Sequence, residues 1–139
     1  MAERKVLVVD DEPNIVKVVT RILEAVGYRV LTARSGAEGA TVLKREGPVD
    51  CVLLDFSIEG ESCSEAWAAL AVAQPGVAMI IHTGFAKHEV AAEMPEFALC
   101  AGYLKKPFGM DQLINEVARV CAGSEVHQHE PVGRLRLGA

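Results

Sequence analysis

No apolar run in this chain approaches the ~20 residues that a membrane-spanning helix needs, so a helical membrane protein is excluded. Positive charge is not in excess. The formal net charge is −5, which argues against a nucleic-acid surface. The start, Met1-Ala2-Glu3-Arg4-Lys5, leads into only a few apolar residues and lacks the longer apolar stretch and cleavage site of a secretion signal. There is no C-x-x-C pair. Cys51, Cys63, Cys100 and Cys121 are widely spaced, and the one close histidine pair, His127 and His129, lies in the C-terminal tail. That pattern fits reduced, cytoplasmic thiols better than a disulfide framework or a zinc site. Internal repeats and low-complexity stretches are also missing. What is present is apolar content. Half of the 139 residues are hydrophobic, enough for one domain with a real core and too many for a disordered chain.

Those apolar residues fall into two alternating patterns. Val6 to Val9, Tyr28 to Ala33, the run Val52-Leu53-Leu54, Val77 to His82 and a short segment around Tyr103 read as strands. The middle run is continuously apolar, as in a strand buried on both faces. Between strands, helical spacing returns. Ile15, Val18, Val19, Ile22, Leu23 and Val26 follow Pro13, a residue favoured in a first helical turn, and Gly27 closes that helix. Ser35 with Glu38, and Ser62 with Glu65, predict capping boxes for the second and third helices. A fourth helix is expected from about Ala86 to Glu93, limited by Pro95, and a last one holds Met110, Leu113, Ile114, Val117, Val120 and Cys121. Five βα units with right-handed crossovers make a parallel sheet covered by helices on both faces. Residues 1–122 form the predicted domain, and residues 123–139, with no period, read as a tail or linker.

Parallel strands bring their C-terminal ends to one edge, where such sheets bind ligands. Asp10 and Asp11 end the first strand, Asp55 ends the third, Thr83 follows the fourth, and Lys106 follows the fifth. Converging carboxylates repel, so one takes a proton or a cation sits among them. Hard oxygen donors on an open edge suit magnesium, Mg2+. With such an ion Asp55 could attack phosphorus to give an acyl phosphate. Thr83 and Lys106 could then hold two of the phosphoryl oxygens.

Val-Asp10-Asp11-Glu-Pro, Leu-Leu-Asp55, His-Thr83-Gly and Tyr103-Leu-Lys-Lys106-Pro107-Phe108 together resemble the receiver domain of two-component response regulators, over residues 4 to about 121. The resemblance implies a CheY-like, flavodoxin-like (βα)5 fold, a doubly wound α/β sheet with strand order 2-1-3-4-5. It implies that Asp55 is the phosphoacceptor, served by a histidine kinase or histidine phosphotransfer protein. Asp11 would be a direct magnesium ligand, Asp10 would act more through water, and the Ser57 carbonyl would be a further ligand. Thr83 would be the switch hydroxyl, moving toward the phosphoryl oxygen on activation while Tyr103 turns inward. Lys106 would hold the phosphate, and the Lys106-Pro107 bond would be cis. A downstream protein would dock on the face built from the fourth helix, fifth strand and fifth helix. The family also admits a phosphorylation-dependent homodimer. Neither nucleic acid nor membrane is an expected direct partner.

The chain departs from the family after Asp55. In Phe56-Ser57-Ile58-Glu59-Gly60-Glu61, Glu59 replaces a usual proline and the glycine comes early. A looser loop with added negative charge near the site is the expectation. Phe85, two residues beyond Thr83, is expected to control water access to an acyl phosphate. Three other functions compete. A haloacid-dehalogenase-like phosphatase would carry a second aspartate where Ser57 stands. A flavodoxin would need a loop rich in small hydroxyl residues and glycine in place of Asp10-Asp11-Glu12. A degenerate receiver acting only as a docking module is opposed by the intact Asp55 and Lys106. The expected role is a cytoplasmic signalling phosphoacceptor, not an enzyme turning over external substrate.

Overall fold

A computed structural model describes residues 3–123 of the chain, so all of the predicted tail but Gly123 lies outside the described residues. The elements run β1 (Lys5–Val9), α1 (Pro13–Ala25), β2 (Arg29–Ala33), α2 (Gly36–Glu46), β3 (Cys51–Asp55), α3 (Cys63–Ala73), β4 (Met79–Thr83), α4 (Lys87–Glu93), a short 3-10 helix (Pro95–Leu99), β5 (Gly102–Lys105) and α5 (Met110–Ala122). The five strands are parallel in the order 2-1-3-4-5.

The side-chain period of two sorts each buried strand between two cores. Leu7, Val9, Val52, Leu54, Met79 and Ile81 pack with α2, α3 and α4, including Leu43, Ala66, Leu70 and Val90. Val6, Val8, Cys51, Leu53 and Ile80 pack with α1 and α5, including Val19, Leu23, Leu113 and Val117. Because β1, β3 and β4 face a core on both sides, their apolar runs are continuous.

Helix starts mostly follow the predicted chemistry. Ser62 and Glu65 make the full reciprocal box: the Glu65 N–H donates to Ser62 Oγ at 3.0 Å, and the Ser62 N–H to Glu65 Oε1 at 2.8 Å. The predicted box on α2 is only half formed. Ser35 Oγ accepts from the Glu38 N–H at 3.1 Å, but the Glu38 carboxylate takes the Arg34 N–H instead of that of Ser35. Pro95 ends α4 as expected, and the chain continues as the 3-10 turn. The fourth strand starts later than predicted and includes Thr83, because its ladder runs from Val52–Met79 to Thr83–Lys105.

Helices α2 and α3 approach closely where small residues meet. A β-carbon on Gly36 would overlap the Ala66 backbone. Gly36→Ala should therefore lower stability by about 1–3 kcal/mol, seen as a lower urea midpoint with an unchanged slope.

Candidate functional site

Strand register assembles the predicted site. Val9 pairs with Leu54, so the next residues, Asp10 and Asp55, stand side by side. Asp55 pairs with His82. Asp10, Asp55 and Thr83 are buried, at 1%, 4% and 2% exposure. Lys106 reaches in from beyond β5. Its backbone N–H donates to the Thr83 carbonyl at 2.7 Å, and its Nζ lies 3.4 Å from Asp55 Oδ1 and 3.9 Å from Asp10 Oδ2. The Lys106-Pro107 peptide is cis, as the resemblance implied. Burial pushes the Asp10 carboxyl up to about 6; the Glu12 N–H, donating to Oδ1 at 2.9 Å, opposes the rise, and neighbouring Asp55 adds to it.

Asp11 stands apart from this tight group. It lines an open cleft of about 500 Å³ with Asp10, and its Oδ2 accepts the Glu59 N–H at 3.1 Å. Ser57 is exposed and donates its N–H to Asp55 Oδ1 at 3.2 Å. The site thus offers carboxylate oxygens from Asp10, Asp11 and Asp55 with the Ser57 peptide adjacent, a hard donor set that fits magnesium. The Asp10 Oδ2 atom is buried and has no hydrogen-bond partner among the described residues, as a group awaiting a cation would be.

The expected loose loop is instead anchored. Ile58 and Glu61 form an isolated antiparallel bridge, with Gly60 turning the chain at φ 82°. The Glu61 carboxylate accepts the Gly36 N–H at 2.7 Å and the Ala37 N–H at 3.2 Å. Its charge is therefore taken up by the start of α2, where helix N–H groups favour an anion. An early glycine suits this turn because positive φ is cheap only there.

On the other side of the site, Thr83 is wired to Tyr103 through the backbone of one residue, Phe85. The Phe85 N–H donates to Thr83 Oγ1 at 3.1 Å, and Tyr103 OH donates to the Phe85 carbonyl at 2.6 Å. The Tyr103 ring meets Phe97 edge-on at 5.8 Å, with Lys87 Nζ 5.4 Å from its centre. Phe85 is half exposed and meets Phe56 edge-on at 5.9 Å.

Sequence reasoning placed His82 at the end of the fourth strand and gave it no role in the site. It is fully buried, yet its Nε2 lies 3.7 Å from Asp10 Oδ2. The signal available was parity: His82 follows Ile80 by two, as Asp55 follows Leu53. Burial pushes the His82 imidazole down to about 3, and the Lys106 ammonium adds to the fall. Between 6.5 and about 3 the unfolded chain takes a proton that folded His82 refuses, so its contribution to stability is lost as pH falls through that window. Asp10 acts in the opposite sense, its contribution being present below 3.8 and lost as pH rises through about 6. His82→Val should therefore lose less stability than wild type between pH 7 and about pH 5, measured by urea unfolding.

Known proteins resemble this chain in sequence and fold. The sequence model of the response regulator receiver domain matches residues 6–118. The transcriptional regulatory protein GlrR of Escherichia coli is 34% identical over 111 residues, covering 80% of this chain but 24% of GlrR. The chain thus spans about a quarter of that regulator. Sporulation initiation phosphotransferase F of Bacillus subtilis is 27% identical over 119 residues, covering 86% of this chain and 94% of the relative. Among solved structures, a response regulator receiver domain protein from Clostridium thermocellum superposes with a TM-score of 0.76 at 26% identity, covering 89% of this chain and 98% of its own. The receiver domain of the sensor histidine kinase PA1611 from Pseudomonas aeruginosa, with a magnesium ion coordinated in its active-site cleft, has the same fold at a TM-score of 0.75 and 24% identity, covering 87% and 99%. With a family match across most of its length and the acid pocket at its strand ends, the chain belongs to the receiver domains of two-component response regulators.

Proposed function

We propose that Asp55 of this receiver accepts a phosphoryl group from the phosphohistidine of a histidine kinase or phosphotransfer protein. The observation that carries the assignment is Lys106 Nζ at 3.4 Å from a buried Asp55 carboxylate, with buried Thr83 next along β4 after His82, the ladder partner of Asp55. An Asp55 oxygen attacks phosphorus, the phosphorus–nitrogen bond breaks, and the histidine of the donor, protonated on its other ring nitrogen, leaves as neutral imidazole. Lys106 and Thr83 then hold phosphoryl oxygens as the charge moves onto Asp55. Asp10, Asp11, Asp55 and the Ser57 carbonyl would hold magnesium, which neutralises charge between the carboxylates and the incoming group. The PA1611 receiver, with its coordinated magnesium, supports that choice of ion.

Occupancy of Asp55 is sensed by Thr83. Pulling its hydroxyl toward the phosphoryl group releases the Phe85 N–H, and the Phe85 carbonyl transmits that shift to Tyr103. Tyr103 lies on β5 beside α4 and Phe97, so the change reaches the face of α4, β5 and α5, where a downstream protein or a second phosphorylated copy would dock. We take residues 1–122 as the receiver, residues 123–139 as a tail or linker, and the cytoplasm as its compartment. The chain serves as a phosphoacceptor in signalling; the anchored carboxylate and lysine favour this over a docking module that works without phosphate.

Acetyl phosphate with magnesium should add one phosphoryl group to the wild type, seen by intact-protein mass spectrometry. Asp55→Asn should take none; equal labelling of that variant would sink the assignment. Chelating the magnesium should abolish labelling of the wild type. Phe85→Ala should label normally but lose its phosphoryl group several-fold faster, because water then reaches the acyl phosphate past Phe56. An unchanged half-life would remove Phe85 from that role.

A further inference from the structure

Three groups share one row on the sheet face that α1 and α5 cover. Asp10, Asp55 and His82 follow Val8, Leu53 and Ile80 by two residues, and those three pack on that face. One atom from each lies within 4.8 Å of the other two. Neither ring nitrogen of fully buried His82 has a hydrogen-bond partner among the described residues, and nor does Asp10 Oδ2. These orphaned atoms face each other, His82 Nε2 to Asp10 Oδ2, at 3.7 Å. That is too long for a hydrogen bond. It is close to the ~3.3 Å expected between two ligand atoms on one tetrahedral ion with bonds of ~2.0–2.1 Å.

We propose that Asp10, Asp55 and His82 form a nitrogen-bearing cation site that takes a divalent transition ion of the zinc and cobalt class and thereby regulates access to Asp55. The ligation stands on the geometry alone; its regulatory consequence rests on Asp55 being the phosphoacceptor. Imidazole suits zinc, and an all-oxygen set suits magnesium, so the two ions draw on different sides of one pocket. Both would share Asp10 and Asp55; magnesium would add Asp11 and the Ser57 carbonyl, on the open side. The transition ion uses His82, on the covered side. Three protein ligands leave a fourth position for water. The Lys106 ammonium, 3.4 Å from Asp55 Oδ1 and 3.9 Å from Asp10 Oδ2, sits on a flexible, partly exposed stem and swings outward as the ion enters. Zinc held by Asp10 and Asp55 keeps magnesium from the carboxylates that the two ions share and holds Lys106 away from Asp55, so zinc slows phosphorylation while magnesium supports it.

The test uses the full chain with His88→Gln, His127→Gln and His129→Gln, which leaves His82 as the only one of the 4 histidines. Heteronuclear NMR of the labelled ring then reports on His82 alone. Zinc chloride should shift the Nε2 resonance as a bound nitrogen does, and magnesium chloride should not. Adding Asp10→Asn should weaken zinc binding by about 10- to 100-fold, measured by calorimetric titration. Zinc should also slow labelling by acetyl phosphate. If zinc leaves both ring nitrogens unmoved while Asp55 still takes a phosphoryl group, the cation site is overturned and the phosphoacceptor assignment stands. If zinc binds His82 but the wild type takes no phosphoryl group, the site stands and the reading of Asp55 fails. If zinc binds His82 without slowing labelling, the regulatory role is overturned.

Discussion

Two carboxylates buried side by side are the constraint on which the rest of this structure depends. With Asp10 and Asp55 offering oxygens within 4.8 Å, their repulsion is roughly 3 kcal/mol or more at an effective dielectric near 20. Burial raises the cost further, as the upward push on the Asp10 carboxyl shows. A fold would not keep such a pair for packing. It is held because the strands on either side are fully buried and fixed in register, and because a cation is built in. Lys106 is positioned by a backbone hydrogen bond from its own N–H to Thr83, so its ammonium meets the two acids.

The surroundings of the pair are tied to it by peptide groups more than by side-chain contacts. Glu59 donates to Asp11, Ser57 to Asp55, Glu12 to Asp10, and Phe85 to Thr83. Each loop at the sheet edge thus hangs on a functional side chain. A change of charge at Asp55 has several short routes outward, and the one through Phe85 ends on a tyrosine beside α4. The loop after Asp55 illustrates how local sequence misleads. Glu59 and Glu61 look like added repulsion, but one supplies only its peptide N–H and the other caps α2. The same carboxylate that would burden the acid pocket stabilises a helix start one element away.

Much of this was legible in the residues. Continuous apolar runs, helical spacing and Pro or Gly punctuation follow from local periods of two and 3.6, and these are properties of the chain itself. Asp10, Asp55, Thr83 and Lys106 could be assigned to one edge because parallel strands share an orientation. What periodicity does not contain is register. Only the pairing of Asp55 with His82, and of Leu54 with Val9, turns a core histidine into a neighbour of the acids. Likewise, only the packing of α2 against the loop reveals where Glu61 goes. The sequence by itself determined which residues could do chemistry and at which edge they would gather. The tertiary structure decided which of them touch, because distances between strands and loops are set by long-range packing that no local pattern encodes.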